Sequence, residues 1–258
     1  MDFCFGVLLI IIGPDKMKIN ITIPIYNEEK ILYLNIQKLL EYLKKSFPFE
    51  FEIVIADNAS NDSSLDIAHQ LASLHNPIIK VVHLTEKGRG RALKKVWLEC
   101  NEDVVSYMDA DLASDLKFFY PLIFSITNEK YDLSVGSRLL KPQWIQRGYK
   151  REFISRCYNS LIKMMFKVNF TDAQCGFKAL NRKAVDHLIP LVKDDEWFMD
   201  TELLLLAQKH KYRIADIPIR WIDDPNSSVN IFSTALKDIQ GLFRMRKEFQ
   251  MHLSNQKK

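Results

Sequence analysis

Apolar residues occur along this chain in two alternating patterns. Short β-branched runs lie at 19–25, 51–56, 78–84, 104–108 and 133–135, and the stretches between them have helical periodicity. Two of these stretches carry four apolar residues on one helical face: Leu32, Ile36, Leu39 and Leu43, then Leu65, Ala68, Leu71 and Leu74. Strands that alternate with amphipathic helices predict an α/β fold, with a mostly parallel central sheet and helices on both faces.

After residue 150 the pattern is less regular. It predicts helices over 153–166 and 201–210, strands over 176–180 and 213–219, and a terminal helix from about Phe232. No Gly/Pro/Ser-rich stretch interrupts the chain, so we expect a single domain over 17–250. Residues 1–16 are interpreted as an extension ahead of a natural start at Met17, and 251–258 as a polar tail.

Polar residues follow four of the predicted strands. These segments are 24–29 (Pro-Ile-Tyr-Asn-Glu-Glu), 57–62 (Asp-Asn-Ala-Ser-Asn-Asp), 86–90 (Glu-Lys-Gly-Arg-Gly) and 109–111 (Asp-Ala-Asp). In an open α/β sheet, ligands bind beyond the carboxyl ends of the strands. The four segments are therefore predicted to converge on one edge of the sheet and to form a binding site.

The residues at that edge indicate a site that binds phosphate groups by way of a carboxylate-bound metal ion. Neither a dinucleotide G-x-G-x-x-G turn nor a P-loop is present, and Gly88-Arg89-Gly90 is expected to be at most a flexible turn. Asp109 and Asp111 directly follow the apolar strand 104–108. Two carboxylates in this spacing suit Mg²⁺ or Mn²⁺ bridging a diphosphate. Solvated loop aspartates are the alternative.

Composition excludes several classes of protein. The 258 residues are 47% hydrophobic and 26% charged, which is ordinary for a soluble globular protein and not for a disordered one. The four cysteines show no C-x-x-C spacing, so a zinc ribbon or a thioredoxin-type site is not indicated, and we expect reduced thiols. The apolar run at 3–12 is about half of the ~20 residues that a membrane-spanning helix needs.

The net charge of +4 is unevenly distributed. Residues 138–167 contain eight Lys and Arg and one acid, and residues 237–258 contain six Lys and Arg and two acids. No nucleic-acid-binding signature accompanies these segments, so nucleic acid is not an expected partner. An anionic membrane surface or a phosphate-bearing substrate fits them, and we predict a peripheral protein on the cytoplasmic face of a membrane.

Several ordered motifs resemble one enzyme family. The segments 24–29, 57–62 and 108–112 are similar to the sugar-nucleotide half of family 2 glycosyltransferases with the GT-A fold. The segments 135–138, 172–178 and 221–228 resemble the subgroup that makes polyprenyl-phosphate sugars, which includes dolichyl-phosphate β-glucosyltransferase and dolichyl-phosphate mannose synthase. The resemblance implies a sugar-nucleotide half over 17–137 and an acceptor half over 138–250.

The resemblance also implies roles for individual residues. Asp57 with Pro24 and Tyr26 would hold the base and ribose, Asp109 would face the nucleotide, and Asp111 would bind the metal. Asn58 stands where the family usually has a second acid, which alters one contact. The remaining substrate-binding candidates are Asn27, Glu28, Lys87, Arg156 and Gln174. Glu28 could instead cap the first helix.

Two further residues are catalytic candidates beside Asp111. Arg138 would hold the acceptor phosphate, with a surface arginine as the alternative. Asp200 begins a predicted helix, where acids are also favoured by capping and by the helix dipole. For Arg156, the alternative is the solvated basic face of a core helix.

The implied reaction is an inverting, metal-dependent transfer of a sugar from a nucleoside-diphosphate sugar to polyprenyl phosphate. A phosphate monoester is largely dianionic at neutral pH, so the acceptor needs no dedicated base. Three alternatives remain: a family 2 enzyme that acts on a hydroxyl acceptor of a glycan, a sugar-1-phosphate nucleotidyltransferase, and a non-enzymatic nucleotide-binding membrane adaptor.

Overall fold

A computed structural model describes residues 17–141, 144–146, 148–222 and 231–255. The predicted extension 1–16, most of the motif 221–228 and the last three residues of the predicted tail lie outside the described residues. The described residues form nine strands: β1 Lys18–Ile25, β2 Glu50–Asn58, β3 Ile79–Leu84, β4 Val104–Met108, β5 Leu133–Ser137, β6 Trp144–Gln146, β7 Phe177–Asn181, β8 Ile214–Pro218 and β9 Arg220–Ile222. All seven predicted strands are confirmed, each within two residues at either end.

Eight α-helices connect the strands in the described part of the chain. They are α1 Leu32–Ser46, α2 Ser64–Leu74, α3 Arg89–Glu99, α4 Phe119–Thr127, α5 Tyr149–Phe166, α6 Arg182–Leu188, α7 Met199–Lys209 and α8 Ile231–Asn255. The helix α8 includes the first five residues of the predicted tail. No described helix is both long enough and apolar enough to cross a membrane.

Seven strands form one sheet in the order β3-β2-β1-β4-β7-β5-β8. The neighbours β1, β2, β3 and β4 pair in parallel, as do β5 and β8, whereas β7 runs antiparallel between β4 and β5. The mostly parallel α/β sheet is therefore confirmed. The strands β6 and β9 form a separate parallel pair.

The core follows the apolar pattern of the sequence. The four isoleucines of β1 are buried, and so are all four predicted residues on the face of α1. On α2 the predicted stripe is only partly correct, because Leu74 is the final residue of the helix and is 58% exposed. Periodicity identifies the face of a helix, but the end of the helix decides how far that face is covered.

The expectation of a flexible turn at 88–90 is wrong. Arg89 and Gly90 begin the regular helix α3, and Arg89 is buried. A Cβ on Gly88 would lie 2.7 Å from the carbonyl oxygen of Asp195, and one on Gly90 would lie 2.8 Å from the Cβ of Met199. The two glycines therefore allow the start of α3 to pack closely against the segment before α7.

Candidate active site

A cleft of about 970 Å³ opens where the carboxyl ends of β1, β2 and β4 meet the start of β7. Ten of the residues singled out in the sequence line it: Pro24, Tyr26, Asn27, Glu28, Asn58, Asp109, Asp111, Arg138, Gln174 and Asp200. Asp57, Lys87 and Arg156 are outside its described lining. The predicted convergence of strand ends thus produces one cavity.

The loops after β1 and β2 are joined by hydrogen bonds. The backbone N–H of Asn27 donates to Ser60 Oγ at 3.0 Å, and Asn27 Oδ1 accepts from the N–H of Asn61 at 2.8 Å. The N–H of Glu28 donates to Ser64 Oγ at 2.7 Å. Asn27 has a φ of 57°, a conformation that asparagine tolerates better than most residues. This wall of the cleft is therefore held in place by polar contacts.

Three residues predicted to contact the nucleotide, Asp57, Asn58 and Lys87, lie next to these loops. Asp57 is fully buried and pairs through Oδ2 with His83 Nδ1 at 2.7 Å, while its Oδ1 has no hydrogen-bond partner among the described residues. Asn58 Oδ1 accepts from the N–H of Gly88 at 2.5 Å. Lys87 Nζ lies 3.4 Å from the centre of the Tyr26 ring. The orphaned oxygen of Asp57 is suited to a ligand donor group.

The two aspartates after β4 differ in their surroundings. Asp109 Oδ1 accepts from Arg89 at 2.6 Å, and Asp111 Oδ1 accepts from the N–H of Ala113 at 3.0 Å. The described side chains include no cluster of three metal-ligating residues. Mg²⁺ and similar cations commonly use one or two carboxylates together with substrate phosphates and water, so this oxygen donor set fits a divalent metal bound with the nucleotide.

Arg89 links Asp109 to Asp200 across the floor of the cleft. Its guanidinium donates to Asp109 at 2.6 Å and to Asp200 Oδ2 at 3.0 Å, and it is nearly buried. Burial disfavours the charge of Arg89, yet the two carboxylates and Tyr107 outweigh it and raise its pKa. Sequence reasoning missed this role, because Arg89 was placed in a turn.

Asp200 is held as a carboxylate by its partners. Its Oδ1 lies 2.8 Å from Lys178 Nζ and also accepts from the Tyr107 hydroxyl, while Oδ2 accepts from Arg89. Burial would raise the pKa of Asp200, but the charges of Lys178 and Arg89 lower it below its usual value. Lys178 belongs to the 172–178 motif, so its residue type was visible in the sequence although its partner was not.

Arg138 directly follows β5 and is buried against Asp172. The pair is bidentate, with Nε to Oδ2 at 2.7 Å and Nη2 to Oδ1 at 2.9 Å. Burial opposes ionisation of Asp172, but Arg138 lowers its pKa overall. The guanidinium also lies 5.0 Å from the ring of Trp221. Arg138 therefore reaches the cleft as part of an ion pair and not as an isolated cation.

The helix α5 brings a different arginine to the cleft from the one predicted. Arg156 pairs with Glu152 at 2.6 Å along the helix and is half exposed, whereas Arg151 lines the cleft. The reason is that α5 begins at Tyr149, four residues earlier than the apolar pattern indicated, so its first turn borders the site. Helix starts are poorly marked when their first residues are polar.

A mostly parallel sheet with nucleotide-side loops at one edge and paired aspartates after a central strand defines a GT-A glycosyltransferase. The structure is similar to that of glucosyl-3-phosphoglycerate synthase of Mycobacterium tuberculosis in complex with UDP, with a TM-score of 0.67 and 17% sequence identity. The similarity covers 90% of this chain and 80% of that one. The same enzyme with Mn²⁺ and UDP-glucose gives a TM-score of 0.64 at 17% identity, over 89% and 79%. These likenesses establish the fold.

Residues 20–189 match the family model of glycosyl transferase family 2, and the chain belongs to that family. The chain is 31% identical to glycosyltransferase AglD of Haloferax volcanii over 88% of its own length, but it spans only 36% of AglD. It is 26% identical to the dolichyl-phosphate beta-glucosyltransferases of Dictyostelium discoideum and Saccharomyces cerevisiae, over 90% of this chain and 75% of each. The predicted GT-A fold, family and enzyme class are confirmed.

Proposed function

We propose that this chain transfers a sugar from a nucleoside-diphosphate sugar to polyprenyl phosphate, with inversion at the anomeric carbon and with help from a divalent metal. The names of its dolichyl-phosphate relatives support a lipid-phosphate acceptor. The Mn²⁺ and UDP-glucose bound to a structural neighbour support the donor class and the metal.

The choice of a phosphate acceptor depends on whether Asp200 can accept a proton. A base that removes a proton from a hydroxyl acceptor works best with a pKa near the working pH. Asp200 has its pKa lowered by Lys178 and Arg89, and both of its oxygens are engaged. It is therefore a poor proton acceptor. A phosphate acceptor, which is already largely ionised at neutral pH, removes the need for one.

The donor occupies the nucleotide side of the cleft in this proposal. Asp57 and the joined loops after β1 and β2 would hold the base and ribose, and Asp111 with Asp109 would hold a divalent metal. When bound, the metal neutralises the negative charge of the departing diphosphate. Arg89 keeps Asp109 oriented for that contact, because its guanidinium fixes one carboxylate oxygen.

The reaction is a single displacement. An oxygen of the lipid phosphate forms a bond to the anomeric carbon while the bond from that carbon to the diphosphate oxygen breaks, and the electron pair leaves with the nucleoside diphosphate. No proton has to be removed. Arg138 and Arg151, which both line the cleft, are the cations that we assign to the side where the two anionic groups approach.

The exposed faces of α5 and α8 support a peripheral position at the membrane. They carry large apolar side chains that face solvent: Tyr149, Phe153, Met164, Leu236 and Phe243. Arg246 and Lys247 on α8 are exposed beside them. Exposed apolar groups flanked by cations suit an anionic lipid interface, and a polyprenyl chain is held there because each CH₂ withdrawn from the bilayer costs about 0.8 kcal/mol.

One observation favours a second candidate, transfer to a hydroxyl acceptor. Burial raises the pKa of Asp238, which also lines the cleft, to about 7. A carboxyl with such a pKa could serve as the base that a hydroxyl acceptor requires.

The experiment that separates the candidates compares two acceptors that differ by one group. Release of nucleoside diphosphate from UDP-glucose and from GDP-mannose is measured with polyprenyl phosphate and with the corresponding polyprenol. We expect turnover with the phosphate alone. Turnover with the polyprenol alone would overturn the proposed acceptor.

The metal is tested in the same assay. We expect Asp111→Ala, and equally the parent with a chelator, to lose most of its turnover, because the diphosphate then departs without a neutralising cation. Circular dichroism should show an unchanged fold, since Asp111 lies in a loop at the cleft. Full activity in either case would remove the metal from the proposal.

A further inference from the structure

The terminal helix α8 contributes a buried carboxyl to the cleft. Asp238 is 2% exposed and lines the cleft together with Thr234 and Ala235 of the same helix. This helix lies beyond residues 20–189, to which the family model corresponds. No role follows for Asp238 from the family motifs, so its function has to be argued from its surroundings.

Three contacts fix α8 in this position. A Cβ on Gly241 would lie 2.5 Å from the ring of Phe198, so the glycine permits close packing there. Arg244 donates to both oxygens of the buried Glu202, at 3.0 and 2.9 Å. Leu242 and Met245 are fully buried. Because these residues follow Asp238 at helical spacing, their packing turns Asp238 inward.

The carboxyl of Asp238 is only half satisfied. Its Oδ2 accepts from Gln174 Nε2 at 2.5 Å, while its Oδ1 has no hydrogen-bond partner among the residues that the structure describes. A second cavity of about 270 Å³ shares Asp238, Thr234 and Trp197 with the cleft, so the carboxyl lies where the two spaces adjoin. A buried polar atom without a partner is costly, which indicates a site for a ligand.

The surroundings restrict what that ligand is. Burial, together with the neighbouring acids Asp194 and Asp200, raises the pKa of Asp238 to about 7, against the lowering effect of Gln174. Acidic neighbours repel a phosphate. A cation is not favoured either, because Lys237 and Arg244 line the adjoining cavity. A neutral hydroxyl is compatible with both charge states of the carboxyl, since it can donate or accept.

We propose that Asp238 binds a hydroxyl group of the sugar that is being transferred, and that α8 thereby helps to select the donor. The inference rests on one part of the proposed function, that the donor is a nucleoside-diphosphate sugar. It does not depend on the acceptor. The indole of Trp197, which is 39% exposed, borders the same space and offers an apolar face to the sugar ring.

The test measures binding without turnover. Calorimetric titrations in the presence of Mn²⁺ compare UDP-glucose with UDP, and GDP-mannose with GDP. For the nucleotide sugar that binds the parent, we expect Asp238→Ala to weaken binding about tenfold and to change binding of the bare nucleotide less than twofold. Asp216→Ala is the matched control, because Asp216 is also a partly buried carboxyl with an orphaned Oδ1 but does not line the cleft.

Monodeoxy analogues of the same nucleotide sugar identify direct contact. Removal of one particular hydroxyl should weaken binding to the parent about tenfold and leave binding to Asp238→Ala unchanged, since the two changes delete the same hydrogen bond. If Asp238→Ala proves unstable in thermal melts, Asp238→Leu, which is closer in size and has no hydrogen-bonding atom, takes its place in the same cycle.

The outcomes are distinguishable. A parent that binds neither nucleotide sugar overturns the proposed function, and this inference with it. If the parent binds the nucleotide sugar, two results would overturn the role of Asp238 alone. In the first, the Asp238 variant binds the bare nucleotide and the nucleotide sugar more weakly by the same factor. In the second, its affinity for every deoxy analogue changes as that of the parent does. A variant with unchanged binding and lost turnover would make Asp238 a base instead.

Discussion

At the scale of single residues, the side chain on which most of the site depends is Arg89. It is the common partner of Asp109 and Asp200 and lies 4.6 Å from the ring of Trp197. Removing it leaves two carboxylates facing each other across the floor of the cleft without their shared cation. Asp200 would keep Lys178 and the Tyr107 hydroxyl, but breaking a buried ion-pair network by removing one partner costs far more than the net value of most surface ion pairs.

We therefore expect Arg89→Ala to lower the free energy of unfolding by about 3 kcal/mol and to abolish most turnover. Urea denaturation and the nucleoside-diphosphate release assay measure the two effects. Arg91→Ala is the control, because its ion pairs with Glu86 and Asp195 are solvent-exposed and should contribute about 1 kcal/mol or less. Equal losses of stability in the two variants would contradict the central role of Arg89.

The raised pKa of Asp238 has a consequence for stability. Its folded pKa of about 7 exceeds the usual value of 3.8, so the folded state retains a proton that the unfolded chain releases. Stability contributed at this site therefore falls as the pH rises from about 4 to about 7. The acids Asp194 and Asp200 and the neighbouring Tyr158 and Gln174 offer no compensating charge.

Asp238→Asn should remove this loss. We expect the melting temperature of the variant to rise relative to the parent between pH 4 and pH 7, in thermal melts at matched ionic strength. Asp216, whose pKa is raised to about 6, titrates in the same direction, but it is present in both proteins and therefore cancels from their difference. A constant difference between variant and parent across that interval would show that Asp238 does not titrate there.

At the scale of elements, the antiparallel β7 decides which segment reaches the cleft. The parallel strands present their carboxyl ends to it, but β7 runs in the opposite direction between β4 and β5. Its beginning therefore meets the edge, and the residues just before it supply Asp172, Gln174 and Gly176. This explains why the 172–178 motif belongs to the site although it precedes a strand.

The approach of β7 to the loop after β4 is close enough to require glycine. A Cβ on Gly176 would lie 2.0 Å from Asp109 Oδ2. Gly176→Ala should thus displace the Asp109 carboxylate and reduce kcat/KM at least a hundredfold, as judged by the release assay. Gly148→Ala, where a Cβ would meet nothing within 4 Å, should leave activity unchanged. Similar activity in both variants would disprove the steric argument.

At the scale of the whole molecule, the charge on α8 serves two separate purposes. Arg244, one of the six cations of the 237–258 segment, is engaged by Glu202 and holds the helix to the core, so we assign it no role at a membrane. An arginine in this position suggests a surface cation, but the buried Glu202 on α7 forms an ion pair with it. Arg246 and Lys247 face solvent, as does Lys237 nearer the start of the helix, and the adjacent pair Arg246 and Lys247 lies beside the exposed Phe243.

Membrane association is tested on those two residues. Because each cation near an anionic surface contributes about 1 kcal/mol, Arg246→Glu with Lys247→Glu should weaken co-sedimentation with phosphatidylserine vesicles at least tenfold. Binding of the parent should fall at high salt. The control is Lys44→Glu with Lys45→Glu on α1, an equally exposed pair. Equal weakening by both pairs would indicate a non-specific charge effect instead of a docking face on α8.

Local patterns were enough to predict most of the architecture. Apolar alternation and helical spacing depend on residues a few positions apart, so the strands, the buried face of α1 and the convergence of polar loops could be predicted without a structure. The same holds for the placement of Asp109 and Asp111 in the cleft, directly after a buried strand, and for the family itself.

Only the tertiary structure decided how the charges are paired. Arg89 and Asp200 are 111 positions apart, and Gln174 and Asp238 are 64 apart. No periodicity links residues at such distances, because their proximity results from the order of strands, the reversal of β7 and the docking of α8 through Gly241. The sequence therefore identified the edge of the sheet where the cleft lies, and the packing of distant elements determined which polar side chains pair there.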